Sequence, residues 1–468
     1  MKPPKVKLRR HTARTRIFLK VNSFMCFEVD NRIKFNERNR IFSRTVIIIM
    51  IRKSILSLLI SISSLSLFAQ TIKTDVTVAG GTAAGISAGI QAARSGVRSL
   101  IIEEGSSLNP EFGPGDLLTL ERIRDHYIYK QEAEEGRSDS VQRPAVTPAN
   151  AVGLLRSITD TVKNLTVILN TGIREIKKDG KGWEIKLKNG RTVKTDVVID
   201  AQAQQVVASL LKIVPEQTII QVGNWITSPQ STPKLFRSSL GWGTRENAGK
   251  SSAYLIPAAT LMPVAAENIF LIPQAAKGLQ PQSMLAGQAA GASAAFCAFF
   301  KTTSKNLNIR ITQGEMLAYD ARIIPYADID FNDRHALALQ HTGLSGILKA
   351  RSRSGGDKEE FVFDTSGTIS SEELRLPMKE FYSRSQLWFA DHKKDSLTIE
   401  DAISLLMFTA TRGDELKREI ESGWKNSLKF STAYDPKRPI TRREFAVLTD
   451  RYLQPFNNRI DFSGNLLN

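Results

Sequence analysis

The sequence predicts an α/β fold: a three-layer domain around a parallel sheet, a discontinuous smaller β-containing region, and a C-terminal helical domain. Three observations carry this. A strand–helix–strand pattern runs from Val76 to Glu104, and three β-like runs lie between Leu165 and Ala201. Three helix starts, each a hydroxyl residue followed by an acid three positions later, occupy the stretch after Thr368.

The chain has 468 residues, of which 41% are hydrophobic and 24% charged, an ordinary globular composition with room for two or three domains. Its net charge of +17 is concentrated at the start, where residues 1–69 hold fifteen Lys and Arg against three acids. That arm lacks aromatic interleaving on a folded scaffold, so nucleic acid is excluded as a partner. From Met50 the sequence reads "MIRKSILSLLISISSLSLFAQ": a basic pair, Arg52 and Lys53, an apolar run from Ile55 to Phe68, then Ala69. This is the layout of a secretory signal cleaved after Ala69. The run falls short of the ~20 residues that span a bilayer. Residues 1–49 then read as an upstream extension, 50–69 as the signal peptide, and the mature chain as exported, periplasmic or extracellular. The Arg-Lys pair is not a twin-arginine signal, so the chain crosses unfolded. Only Cys26 and Cys297 occur. Cys297, in "GASAAFCAFF", reads as a buried small hydrophobe. Five scattered histidines offer no metal-ligand spacing.

The first motif is "VAGGTAAGISAGIQAARSGVRSLIIEE", Val78 to Glu104. Val76 and Val78 lead into a tight turn, Ile86, Ile90 and Ala93 recur at helical spacing, and "VRSLIIEE" is a nearly continuous apolar strand. In the G-x-G-x-x-G frame the turn offers Gly80, Thr82 and Gly85. Gly80 supplies the turn and Gly85 the close helix–strand packing, while Thr82 stands where glycine is usual. Its hydroxyl is expected to donate to a phosphate, with Gly81 leaving the preceding peptide free and the N–H groups of Ala83 and Ala84 available. Glu103, 23 residues beyond Gly80, is placed to accept from ribose hydroxyls. An acid there disfavours a 2′-phosphate, and this unit alone does not separate NAD from FAD.

Beyond Glu104 the pattern fades through "SSLNPEFGPGD" and a polar helix, "LERIRDHYIYKQEAEEG". "TPANAVGLLRSITDTV" restores helical period. The β-like runs are "LTVILNTGIREIKK", "GWEIKLKNG" and "TVKTDVVIDA", with Asn189-Gly190 as a hairpin turn. Residues 203–252 are mixed and taken as the substrate region. "NIFLIPQ" reads as a strand and "SMLAGQAAGASAAFCAFF" as a small-residue helix. Residues 70–319 thus form the first domain and 320–468 the helical one. Its expected capping boxes are Ser370/Glu373, Thr398/Asp401 and Thr441/Glu444. "ARSRSGGDKEE", Ala350 to Glu360, reads as an exposed loop.

The glycine turn, the run through "VVIDA" and "LIPAATLMPVAAENIFLIPQAAKGLQPQSMLAGQAAGASAA" together resemble the FAD-dependent oxidoreductases of the glutathione-reductase-like superfamily, closest to a bacterial group whose turn reads GGTxAG. The resemblance spans about residues 75–320, and threonine at position 82 is familiar there. It implies FAD as cofactor, hydride transfer from an unidentified small-molecule substrate to the flavin, adenine against the backbone near Ile173, and a late helix start at Gly287, Gln288 and Ala289 aimed at the flavin pyrimidine. The chain departs from the family in three places. The Gly-rich run after the ribose acid is reduced to Gly113, Gly115 and Asp116. "LIPQAAKG" lacks the usual Gly-Arg or Gly-Asp, and Gln202 replaces threonine after "IDA". The catalytic residues are left unassigned, because His126, Tyr127, Trp225 and Arg245 read as ordinary surface or core residues. "YADIDFNDRHALALQHTGLSGI" with "ITRREFAVL" is similar to surface-layer homology repeats, which implies a cell-envelope glycan as partner. The alternatives are a catalytically inactive Rossmann-fold protein acting as a surface-binding module, and an NAD-dependent oxidoreductase.

Overall fold

The structure, a computed structural model, describes residues 71–467 apart from 109, 114, 127–144, 214–232, 248–249, 276–277, 331 and 356–357. The expected leader and upstream extension lie outside the described residues, as do Tyr127 and Trp225.

A short strand β1 (Thr71–Lys73) precedes the strand–helix–strand unit, which is β2 (Val76–Ala79), α1 (Ala83–Arg94) and β3 (Ser99–Ile102). Every residue of β2 and β3 is buried, as a strand covered on both faces requires. Two helices follow, α2 (Asp116–Arg124) and α3 (Pro148–Thr161), then β4 (Leu165–Ile168), β5 (Ile173–Asp179), β6 (Gly182–Leu187), β7 (Thr192–Thr195) and β8 (Val197–Asp200). The first β-like run is thus two strands, parted at Asn170, whose φ of 56° turns the chain out of one sheet and into another. The third run likewise divides at Asp196 into β7 and β8 of different sheets.

Past α4 (Val206–Leu210) and α5 (Pro233–Ser238) come β9 (Ser239–Asn247), β10 (Lys250–Pro257), β11 (Ile269–Leu271), β12 (Leu279–Pro281), the long helix α6 (Ser283–Phe299) and α7 (Ile309–Ala318). The wholly parallel sheet has the order β11-β8-β2-β3-β4, a Rossmann-type arrangement with its carboxyl ends at the glycine turn. A second sheet, β1-β7-β6-β5, is an antiparallel meander with β1 added in parallel to β7.

The remainder is α8 (Ala336–Ser345), β13 (Arg351–Gly355), β14 (Lys358–Val362), α9 (Ser371–Phe381), α10 (Ser385–Asp391), α11 (Ile399–Ala410), α12 (Asp414–Gly423) and α13 (Arg442–Tyr452). Here the sequence expectation needs correction. Where a loop was expected, β13 and β14 pair as antiparallel strands, and β14 pairs in parallel with β10 at Ser251–Lys358 and Ser252–Glu359. The third sheet therefore runs β12-β9-β10-β14-β13. The hairpin's charges sit in cross-strand pairs, Arg353 with Glu360 at 2.9 Å and Ser352 with Glu359 at 2.6 Å, so a strand whose outer face is wet reads as solvated loop. One apolar core continues from Val76 and Ile86 through Leu285 and Leu339 to Leu405 and Phe445.

Thr398/Asp401 and Thr441/Glu444 form complete capping boxes. At Ser370 the hydroxyl accepts from Glu373 N at 3.1 Å, but the Glu373 carboxylate turns away to Arg351 and to the fully buried Arg442. A buried guanidinium needs a counter-charge more than the Ser370 N–H needs an acceptor. Bridges Thr368–Thr441 and Thr398–Pro439 tie these helix starts together.

Candidate functional site

The glycine turn connects β2 to α1 at the carboxyl end of the parallel sheet. Gly80 takes φ +100°, and the Gln202 side chain packs where its Cβ would be. A Cβ on Gly85 would collide with Gly80 O, so the helix can leave the strand this steeply only with glycine there. Thr82 is the N-cap of α1. Its Oγ1 accepts from Gly85 N at 3.1 Å and donates to Ala201 O at 2.9 Å. Here the one hydroxyl proton, expected on a phosphate, goes to β8's exit, so Thr82 pins the turn. The first-turn N–H groups of Ala83 and Ala84 find no acceptor among the described residues, as helix starts leave them.

Glu103 follows β3 and turns back to this spot. Its Oε2 accepts from Gly81 N at 2.6 Å and its Oε1 from Gly105 N at 2.7 Å. Leu108 closes over the other side, 2.5 Å from where a Gly81 Cβ would stand. Thr171 N donates to Glu103 O at 3.1 Å, two residues ahead of the buried Ile173. Asp200 ends β8 beside the turn, fully buried. Its Oδ2 accepts from Ala208 N at 3.0 Å, and burial pushes its carboxyl up to about 6.

Helices α1 and α6 lie side by side and parallel. Ala84 O fills the place of a Gly287 Cβ, Ala88 O that of a Gly291 Cβ, and Ser87 Oγ donates to Met284 O at 2.7 Å. Both helices therefore start at the same end of the sheet. The helix start expected at Gly287, Gln288 and Ala289 is corrected here: α6 begins at Ser283 with Gln282 as N-cap. Gly287 to Ala289 lie a turn inside it, where their N–H groups serve the helix itself. Gly287 makes the helix contact, and Gln288 and Ala289 are buried.

The true start of α6 is filled by an acid that the sequence showed only as a faint echo. Asp116 has no exposed surface. Its Oδ1 accepts from Met284 N at 2.8 Å, and its Oδ2 from Ser283 Oγ at 2.6 Å and Gly113 N at 2.8 Å. Burial raises its pKa, and these donors pull it back. Gly115, at φ +80°, lets the Gln282 side chain lie against it. The signal in the sequence was G-x-G-D directly ahead of an apolar-periodic stretch, an acid at a helix start.

The other candidates lie elsewhere. His126 Nδ1 meets Asp320 Oδ2 at 3.0 Å and stands edge-on to Tyr319, whose hydroxyl donates to Arg94 O. Arg94 ends α1, so His126 sits about 17 Å along the helix from the glycine turn. Arg245, on β9, faces partly to solvent. Cys297 is buried and its thiol is pushed up to about 12, which leaves it protonated and inert.

No family model matches the chain, and no curated protein does. Among solved structures, the chain is similar over part of its length to anhydrotetracycline hydroxylase OxyS from Streptomyces rimosus, at 15% identity over 31% of this chain and 34% of that one, with a TM-score of 0.23. It is similar to the amino acid oxidase NikD at 13% identity, covering 37% and 56%, with a TM-score of 0.23. A third likeness is to thioredoxin reductase from T. acidophilum, at 24% identity over 27% and 34%, with a TM-score of 0.17. The chain thus spans about a third to just over half of these redox enzymes, and likenesses of that extent carry no functional weight.

Proposed function

We propose that this chain is an exported, FAD-binding protein of the oxidoreductase type that holds the ADP half of its cofactor at the start of α1. The observation that carries this reading is the pair of unmatched donors at Ala83 and Ala84, beside a carboxylate at the end of β3. A pyrophosphate accepts from those two N–H groups and is favoured by the helix dipole. Each Glu103 oxygen has accepted one backbone hydrogen bond and keeps capacity for a ribose hydroxyl. The strand start at Ile173 offers the adenine its backbone. FAD, when bound, supplies a hydride acceptor. The substrate is unidentified and no base is assigned. NAD shares the ADP half, so an NAD-dependent oxidoreductase is the other reading of this same turn.

The deciding experiment is an absorbance spectrum of the purified protein after incubation with FAD and desalting. Retained bands near ~450 nm that leave as free FAD on denaturation support the reading. A colourless protein with no FAD-induced rise in melting temperature overturns it, since a ligand of the native state must stabilise it.

A second site goes with the same proposal. A polar cleft of about 630 Å³ in the C-terminal region is lined by Asp330, Asp333, Arg334, Lys425, Lys429 and Arg443 among others. Mixed charges and a cleft of small-ligand size suit a charged, hydroxyl-rich ligand, and we propose a cell-envelope glycan. Co-sedimentation with purified envelope polysaccharide tests it; no enrichment over an Arg443→Ala variant sinks it.

A further inference from the structure

The two parallel helices give the carboxyl end of the sheet two positive ends, and the chain treats them differently. At α1 two donors are open. At α6 the start is covered by Asp116, which lies wholly inside the protein and takes Met284 N, Ser283 Oγ and Gly113 N together. Asp116 is also the first residue of α2, so its carboxylate stands between two helix starts, both of which favour negative charge. A ring carbonyl laid against α6 at the Met284 N–H would have to displace Asp116 from it. To give it up, Asp116 would leave three donors and Gly115 would part from Gln282. Three charge-assisted hydrogen bonds in a dry site outweigh the one or two that a ring oxygen offers in return.

We infer that α6 is closed to a flavin ring by the chain's own carboxylate, so that this site recognises the ADP moiety and is indifferent to what is joined to it. The inference rests on the nucleotide reading of the glycine turn. The site would then take ADP, ADP-ribose, NAD or FAD with similar affinity. A ring in FAD would project away from α6 and remain open to solvent.

Calorimetric titration of the purified protein with ADP-ribose and with FAD, together with iodide quenching of the bound flavin's fluorescence, tests this. The expected result is dissociation constants within about threefold of each other, and quenching close to that of free FAD. FAD binding more than about thirtyfold tighter than ADP-ribose, with a shielded ring, overturns it. Binding of neither removes the nucleotide reading itself, and the inference with it, an outcome distinct from the previous one. The Asp116→Ala variant adds a second arm. If it folds, its preference for FAD over ADP-ribose rises by about tenfold. An unchanged preference with a folded variant counts against the inference. If the variant fails to fold, the wild-type titrations alone decide.

Discussion

Helices α1 and α6 are near-twins in composition, in contact and parallel, yet one starts open and the other closed. Each is rich in alanine and glycine, and α6 meets the carbonyls of Ala84 and Ala88 on α1 at its Gly287 and Gly291. The difference lies in what precedes them. α1 is entered from a buried strand through a turn whose threonine is spent on holding the turn. α6 is entered through Gln282, which makes no side-chain cap, and an acid from a separate helix supplies one instead. A helix start is therefore a site or a joint depending on whether the chain brings its own anion to it.

The harshest way to break the comparison is to separate the twins. Gly287→Val drives a side chain into Ala84 O, and we expect a loss of about 4 kcal/mol or failure to fold, read by denaturant titration. Next, Asp116→Ala leaves buried donors at Ser283, Met284 and Gly113 and should cost about 3 kcal/mol, while Glu103→Gln, at a half-exposed position, should cost stability little but weaken ADP-ribose binding about tenfold.

A pH series sharpens the picture at Asp200. Its folded pKa of about 6 lies above the ordinary 3.8, so the folded state holds its proton more tightly than the unfolded one. The resulting stability is fully present below pH ~4 and is lost as pH rises through ~6, by no more than about 3 kcal/mol. Asp200→Asn should lack that loss, so its melting temperature relative to wild type should climb between pH 4 and 7. A constant difference across that range would refute the assignment. The smallest effect is expected at Thr82→Ala: about 1 kcal/mol of stability from the lost cap, with ADP-ribose affinity changed less than about threefold. A large loss of affinity there would return Thr82 to the role of anion donor.

These outcomes bear on how much could be read from the residues alone. The unit from Val76 to Glu104 was legible because local pattern and tertiary demand agree: buried strands are apolar throughout, and α1 alternates small and branched residues. The Asn189-Gly190 turn between β6 and β7 was legible for the same reason, with Gly190 at φ +86°. β9 and β10 were not. Gly241 and Gly243 weaken the strand pattern, and Gly243 is there because the Tyr254 ring lies over it. Two local arrangements differ from what spacing suggested. Thr82's proton and α6's first turn are both spent on partners more than a hundred positions away in sequence, Ala201 and Asp116. Spacing carries no trace of such distant claims.

The pairing of β14 with β10 has a consequence in time. Ser251 cannot meet Lys358 until the chain between them has been made, so the third sheet closes only after the hairpin has been made. Until then β10 keeps an open edge, the kind of surface that recruits strands from other molecules. A chain cut short before Arg351 would carry that edge permanently. The β13–β14 pair thus acts as the stopper of a sheet whose other strands come from far earlier in the chain.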